Sequence, residues 1–85
     1  MTAETPLKLL TRQGCHLCDV VAATLSDMGV AFATIDVDTD AELQRRYGDA
    51  VPVLLNGDTQ IASAPLTERD LRRAVEGAGI AVGRG

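Results

Sequence analysis

The chain has 85 residues, a net charge of −4 at pH 7 and a hydrophobic share of 46%. This length allows one domain over residues 1–85, and the negative charge argues against nucleic acid as a partner, because neutralising phosphates requires clustered Lys and Arg. No apolar stretch approaches the roughly 20 residues of a membrane helix, and residues 1–8 show no signal-peptide pattern. We therefore expect a cytoplasmic protein without a membrane partner.

A strand and an amphipathic helix open the predicted fold. The apolar run 7–11 predicts strand one, and apolar residues at helical spacing predict helix one over residues 15–28, ended by Gly29. Alternating apolar and polar residues then predict strand two over residues 32–37. Strands one and two are joined through a helix, so we expect them to be parallel, with a right-handed crossover.

A capping-box pattern at residues 39–42 predicts the start of helix two. The apolar residues Leu43 and Tyr47 lie one helical turn apart, so we expect both to be buried on one face. Gly48 follows directly and is expected to end the helix.

A hairpin and a third helix complete the predicted fold. Residues 51–55 predict strand three, Asn56-Gly57 predicts a tight turn, and residues 59–62 predict an antiparallel strand four. Residues 67–70 are a further capping sequence, and the helix they begin has an apolar face made of Leu71, Ala74, Val75 and Ala78. The predicted order is β-α-β-α-β-β-α, with an ordered core over about 7–76 and a glycine-rich tail over 77–85 that we expect to fray.

The sequence Cys15-His16-Leu17-Cys18 lies where strand one turns into helix one. The first turn of a helix offers unpaired N–H groups and the positive end of the dipole, and both favour a thiolate. In such motifs the first thiol has a pKa of roughly 3.5–7.5 instead of about 8.5. We interpret Cys15 as the nucleophile and Cys18 as the resolving thiol, with His16, when protonated, favouring the thiolate further.

Other interpretations of the two cysteines stay open at this point. They are either small buried hydrophobic residues or metal ligands. A structural zinc site needs four protein ligands, and His16 is the single histidine of the chain, so a metal site would have to be shared between two chains. The alternative function is accordingly a non-enzymatic carrier of iron–sulfur or another metal, or a redox sensor, that uses Cys15.

Three further residues, Arg12, Val51 and Pro52, are candidates for the same site. Pro52 follows Val51 at the start of a strand, where it cannot donate a hydrogen bond; either a cis peptide or an ordinary trans proline at an edge explains it. Arg12, three residues before Cys15, either stabilises a thiolate, pairs with an anionic thiol substrate, or is a solvated loop charge.

The stretch from Thr11 to Cys18 resembles the Ser-Lys-x-x-Cys-x-x-Cys sequence of glutaredoxins, and Val51-Pro52-Val53 and Asn56-Gly57 follow in register. Over about residues 7–76 the chain is similar to glutaredoxin-like proteins of the thioredoxin superfamily, in particular a small bacterial group. The resemblance implies an α/β, thioredoxin-like fold of glutaredoxin type, with a four-stranded mixed sheet flanked by three helices. It also implies a cis bond before Pro52, beside the cysteines, and a substrate that pairs with the backbone of Val51.

By this resemblance the protein is a thiol–disulfide oxidoreductase that acts on small or protein disulfides. Cys15 attacks, forms a mixed disulfide, and Cys18 resolves it. The electron donor is glutathione or a thioredoxin-reductase-like protein, no cofactor or metal is tightly bound, and the protein is expected to be a monomer. Glutaredoxins hold glutathione with a Gly-Gly pair and an Asp; residues 62–67 lack that sequence, and Ser63 and Thr67 are the candidate substitutes. The predicted substrate- or glutathione-binding residues are Arg12, His16, Val51, Pro52, Ser63 and Thr67.

Overall fold

A computed structural model describes residues 7–63 and 67–80 of the chain. It contains four strands, three α-helices and one short 3-10 helix, in the predicted β-α-β-α-β-β-α order. Their bounds are β1 Leu7–Thr11, α1 His16–Asp27, β2 Ala33–Asp36, the 3-10 helix Val37–Thr39, α2 Ala41–Tyr47, β3 Val53–Asn56, β4 Thr59–Ser63 and α3 Glu68–Gly77.

The four strands form one mixed sheet in the order β2-β1-β3-β4. Strand β1 pairs in parallel with β2 and antiparallel with β3, and β3 pairs antiparallel with β4. The predicted fold class is therefore confirmed. None of the helices in the described ranges is long and apolar enough to cross a membrane.

Alternation along β1 and β3 divides the core between the two faces of the sheet. Successive side chains of a strand point to opposite faces, so Leu9 and Leu54 belong to one cluster while Leu10 and Val53 belong to the other. The larger cluster contains the buried faces of α1 and α3, and it is made of Leu7, Leu9, Val21, Leu25, Met28, Val30, Leu54, Leu71 and Val75. Branched aliphatic side chains thus fill the core of a chain that has one Phe and one Tyr.

The smaller cluster lies on the side of α2. Its buried members are Leu10, Val37, Val53 and Leu55. Leu43 and Tyr47 of α2 pack against it but are only half-buried, so the prediction that α2 buries both side chains is confirmed only in part. The two side chains therefore cover the outside of the smaller cluster without becoming fully buried themselves.

Hydrogen-bonded caps close both long helices. Beyond α1, the N–H of Val30 donates to the carbonyl of Leu25 and that of Gly29 to Ser26, which is the Schellman pattern. The same pattern follows α3, where the N–H of Ile80 donates to the carbonyl of Val75. Ile80 also packs against the larger cluster, so the fold extends past the predicted boundary at residue 76. Fraying remains a prediction for residues 81–85, which lie outside the described ranges.

Two local predictions require correction. Thr39 does not cap α2; the N-cap is Asp40, whose carboxylate accepts from the backbone N–H groups of Glu42 and Leu43, while the Thr39 hydroxyl donates to the carbonyl of Asp36. A 3-10 turn after β2 moves the helix start by one residue and ends the strand at Asp36, before the predicted Val37.

The second correction concerns the hairpin. Asn56 pairs with Thr59 as the last residue of β3, so the two-residue loop is Gly57-Asp58. Gly57 has a φ of +64°, whereas no other residue type has a positive φ in the described chain. Glycine at the first loop position is typical of the type II′ turn, which matches the twist of the flanking strands.

Candidate functional site

Cys15 is the N-cap residue of α1. The chain leaves β1 at Thr11 and turns through Gly14, whose φ of +77° favours glycine. Cys15 then has an extended conformation, with φ −91° and ψ 100°, and α1 begins at His16. The cysteine side chain occupies the position where Ser, Thr, Asp and Asn usually accept from the first turn of a helix.

The sulfur of Cys15 accepts a hydrogen bond from the backbone N–H of Cys18, with a distance of 3.0 Å between nitrogen and sulfur. The two residues are joined by a disulfide, and their Cα atoms are 5.2 Å apart. Cys15 is half-buried, whereas Cys18 is only 1% exposed. In the reduced protein the same N–H group and the helix dipole would favour the thiolate of Cys15.

The Val51–Pro52 peptide bond is cis, as the resemblance implies. Val53 of β3 pairs with Leu10 of β1, and the two strands are antiparallel. The residues just before Val53 therefore lie beside the residues just after Leu10, which lead to Cys15. Pro52 is buried, and Val51 is half-buried against the smaller core cluster.

Arg12 connects the loop before Cys15 to the segment that follows β2. Its Nε atom donates to Oδ2 of Asp38 at 3.1 Å, and its Nη2 atom lies 3.1 Å from Oδ1 of the same carboxylate. Its Nη1 atom donates to the backbone carbonyl of Gly48 at 3.1 Å. The backbone carbonyl of Arg12 accepts from the N–H of Cys15 at 3.3 Å. Arg12 thus fixes the loop to both ends of the 3-10 helix–α2 segment.

The carboxylate of Asp38 has a second partner, because Nε2 of Gln44 donates to its Oδ1 at 2.8 Å. The hydrogen bond from Arg12 lowers the pKa of Asp38, and the bond from Gln44 lowers it further. The same contact raises the pKa of Arg12, with smaller contributions from the charges of Asp49 and Asp36. Both shifts favour the charged forms, so the pair is ionised at neutral pH.

The surface of α1 next to Cys15 is exposed and apolar. His16 is exposed, Leu17 is 56% exposed and Val20 is 45% exposed. Leu17 and Val20 are three residues apart and share one face of the helix. They are the two large hydrophobic residues with high exposure in the described part of the chain, and they lie within six residues of Cys15.

Ser63 and Thr67 lie on either side of residues 64–66, which are outside the described ranges. Ser63 ends β4 and pairs with Val53. Thr67 is the N-cap of α3: its hydroxyl accepts from the N–H of Asp70, and the Asp70 carboxylate accepts from the N–H of Thr67. The predicted capping box is confirmed there, and a substrate role for Thr67 stays a prediction.

Sequence reasoning missed the partners of Arg12. Asp38 directly follows the predicted strand two, and no sequence pattern linked it to Arg12. Thr11 pairs with Asp36 in the parallel register, so the residues that follow each strand come close together. A basic residue one position after β1 and an acidic residue two positions after β2 are the signal that would have predicted this ion pair. In the described residues no group of three or more His, Cys, Asp or Glu is arranged to hold a metal ion.

A mixed four-stranded sheet, a Cys-x-x-Cys pair at a helix start and a cis-proline just before β3, the antiparallel neighbour of β1, define a glutaredoxin-type thioredoxin fold. The family model for the Glutaredoxin-like domain (DUF836) matches residues 6–76, and the chain belongs to this family. The predicted resemblance is thereby confirmed.

Individual relatives agree with this assignment. An uncharacterised protein of Mycobacterium tuberculosis is 41% identical in a 58-residue alignment, with a coverage of 58% of this chain and 60% of the relative. The chain therefore spans about three fifths of the length of that curated relative. The structure of a structural-genomics protein from X. campestris is 33% identical, with a TM-score of 0.75, over 84% of this chain and 96% of the other. A buckwheat glutaredoxin–glutathione complex, 22% identical with a TM-score of 0.62 over 89% and 82%, shares the fold.

Proposed function

We propose that the protein is a thiol–disulfide oxidoreductase that uses Cys15 as nucleophile and Cys18 as resolving thiol. The observation that carries this proposal is the N-cap position of Cys15, whose sulfur accepts the Cys18 N–H at 3.0 Å. A half-buried Cys15 meets a substrate before the buried Cys18 does, which sets the order of attack. The reaction requires no tightly bound cofactor.

The proposed reaction has two balanced steps. The Cys15 thiolate attacks one sulfur of the substrate disulfide, that S–S bond breaks, and the other substrate sulfur leaves as a thiolate and takes up a proton. The deprotonated sulfur of Cys18 then attacks the sulfur of Cys15, and the second substrate sulfur leaves in the same way. The Cys15–Cys18 disulfide forms, and two electrons have passed from the protein to the substrate.

A donor thiol must return these electrons. Glutathione is one candidate, because the buckwheat protein of the same fold forms a complex with it. A thioredoxin-reductase-like protein is the second. We place the reaction in the cytoplasm as part of the proposal, because two cysteines in a chain of this size suit a reducing compartment and a catalytic use better than a structural disulfide.

The test is reduction of a small mixed disulfide by the purified protein, with glutathione and glutathione reductase in one assay and thioredoxin reductase in the other. Cys15→Ser should lower turnover to the rate without protein. Cys18→Ser should accumulate a mixed disulfide on Cys15, visible by mass spectrometry. If wild type does not exceed Cys15→Ser with either donor, the proposed activity is wrong.

A titration supplies an independent readout. The Cys15 thiol of Cys18→Ser should ionise well below the ordinary thiol pKa of about 8.5, as followed by thiolate absorbance. Cys18 in the matched Cys15→Ser variant should ionise at higher pH, because it is buried. Equal titration of the two thiols would contradict the division of roles.

A further inference from the structure

The Arg12–Asp38 ion pair anchors the loop that leads from β1 to Cys15. Arg12 is the permanently charged cation closest in sequence to Cys15, and its backbone carbonyl accepts the N–H of Cys15. A guanidinium in this place would bind the carboxylate of a small anionic thiol in a two-point contact. Asp38 already makes that contact, through both carboxylate oxygens at 3.1 Å.

Two further bonds hold the pair in place. Gln44 donates to Asp38, and Arg12 donates to the carbonyl of Gly48. The side chains of Arg12 and Asp38 are 37% and 36% exposed, so a substrate carboxylate has access to the pair. It meets a guanidinium whose charge is already neutralised and a second carboxylate that repels it.

The surface left for a substrate next to Cys15 is different in character. Leu17 and Val20 present exposed apolar side chains on α1. Such side chains favour contact with a polypeptide over contact with a small, highly charged thiol.

We infer that Asp38 is a specificity-determining residue, which withholds Arg12 from carboxylates and so directs Cys15 toward disulfides without carboxylates near the sulfur atoms, such as those in polypeptide segments. This inference rests on the proposed function. It predicts that Asp38→Asn gains reactivity toward a carboxylate-bearing disulfide relative to the same disulfide with its carboxylates esterified.

The experiment uses the reduced 85-residue chain and two probes, glutathione disulfide and its tetraethyl ester. They share the same disulfide, and the ester has no free carboxylate. Rate constants for oxidation of the protein are measured by acid quenching, alkylation and mass spectrometry. The result is the ratio of the constant for glutathione disulfide to that for the ester, so a general change in reactivity cancels.

For Asp38→Asn we expect the ratio to rise about two- to fivefold, the range that one exposed ion pair allows. Asp49→Asn is the matched control, because it removes the same charge and acts on Arg12 only through charge, without a hydrogen bond. Its ratio should rise clearly less. In the double variant Arg12→Gln/Asp38→Asn the gain should disappear. In about 1 M NaCl, where charges are screened beyond about 3 Å, the gain of Asp38→Asn should shrink.

The outcomes separate the two claims. An unchanged or lower ratio in Asp38→Asn, with a wild type that reacts with both probes, overturns the inference and leaves the proposed function intact. An equal rise in Asp49→Asn also overturns it, because net charge would then be sufficient. A reduced wild type that reacts with neither probe overturns the proposed function and the inference together.

Discussion

The helices α1 and α3 both have a side chain that caps their N-terminus, but the capping groups are chemically different. Both helices begin with a side chain that accepts a backbone N–H three residues further on. At α3 the acceptor is the hydroxyl of Thr67, and the carboxylate of Asp70 accepts from Thr67 in return. At α1 the acceptor is the sulfur of Cys15, a weak hydrogen-bond acceptor. The residue three positions further on is Cys18, which has no carboxylate to accept the backbone N–H of Cys15 in return.

The difference shows how a capping position is converted from stabilisation to reactivity. A hydroxyl or carboxylate at the N-cap stabilises the helix by about 1 kcal/mol. A thiol there stabilises the helix less, but in the proposed function the field of the helix acts on a group that ionises and attacks a disulfide. One chain thus contains both uses, and substitutions at each helix start separate them.

The largest expected effect follows from Cys15→Ser. Serine is among the best N-cap residues, so the variant should be as stable as reduced wild type, or more stable by up to about 1 kcal/mol. Its disulfide exchange should fall to background, because the nucleophile is lost. Denaturant unfolding under reducing conditions measures the stability, with Cys15→Ala as the control that lacks a cap. A Cys15→Ser protein much less stable than Cys15→Ala would contradict the capping role.

Thr67→Ala is the matching change at α3. We expect a loss of about 0.5–2 kcal/mol in the free energy of unfolding, because the first turn loses its acceptor and the capping box is broken. Thr67→Ser should restore most of it. The rate of thiol–disulfide exchange by the folded variants tests the other prediction for Thr67, its role in substrate binding. If Thr67→Ala lowers this rate and Thr67→Ser does not restore it, the threonine methyl group lies at the substrate site.

The smallest effect is a pH dependence. The backbone N–H and hydroxyl of Thr67 lower the pKa of Asp70, so its folded-state pKa lies below its unfolded value. The stabilisation is therefore complete above the ordinary Asp pKa of about 3.9 and is lost as the pH falls through the folded value. Thermal unfolding of wild type and Asp70→Asn should converge as the pH falls below about 4. A constant difference down to the most acidic pH would contradict the prediction.

Asp38 has a pKa lowered in the same direction, by Arg12 and Gln44, and its linkage has the same sign. NMR titration of the Asp38 carboxyl should give a midpoint that rises in Arg12→Gln. An unchanged midpoint would mean that the ion pair does not persist in solution.

Local sequence signals predicted most of the fold. The bounds of β1 and the Thr67 capping box were predicted correctly because each depends on a few adjacent residues. The predicted start of α2 was wrong because Thr39 and Asp40 can both cap a helix. The chain forms a 3-10 turn at Val37–Thr39, which no sequence pattern predicted, and Asp40 is therefore the N-cap.

The candidate site was predictable where its residues are adjacent in sequence, as in the Cys-x-x-Cys pair. The contact of Arg12 with Asp38 joins residues 26 positions apart. It depends on the register of β1 against β2, which apolar periodicity does not specify. The hydrogen bond from Arg12 to Gly48 was even harder to predict, because its acceptor is a backbone carbonyl, which no side-chain pattern identifies.

The central position of β1 in the sheet determines how its backbone amides exchange with solvent when the protein unfolds. This strand is hydrogen-bonded on both sides, and its Leu7, Leu9 and Leu10 side chains are fully buried. In hydrogen-exchange terms, the amides of such a strand exchange only when the whole cooperative unit unfolds. Cys15 follows only four residues after this strand, at the surface end of the most protected segment. In the proposed function, a thiol adduct on Cys15 would therefore modify the periphery of the molecule, and we expect the amides of β1 to stay protected through successive reaction cycles.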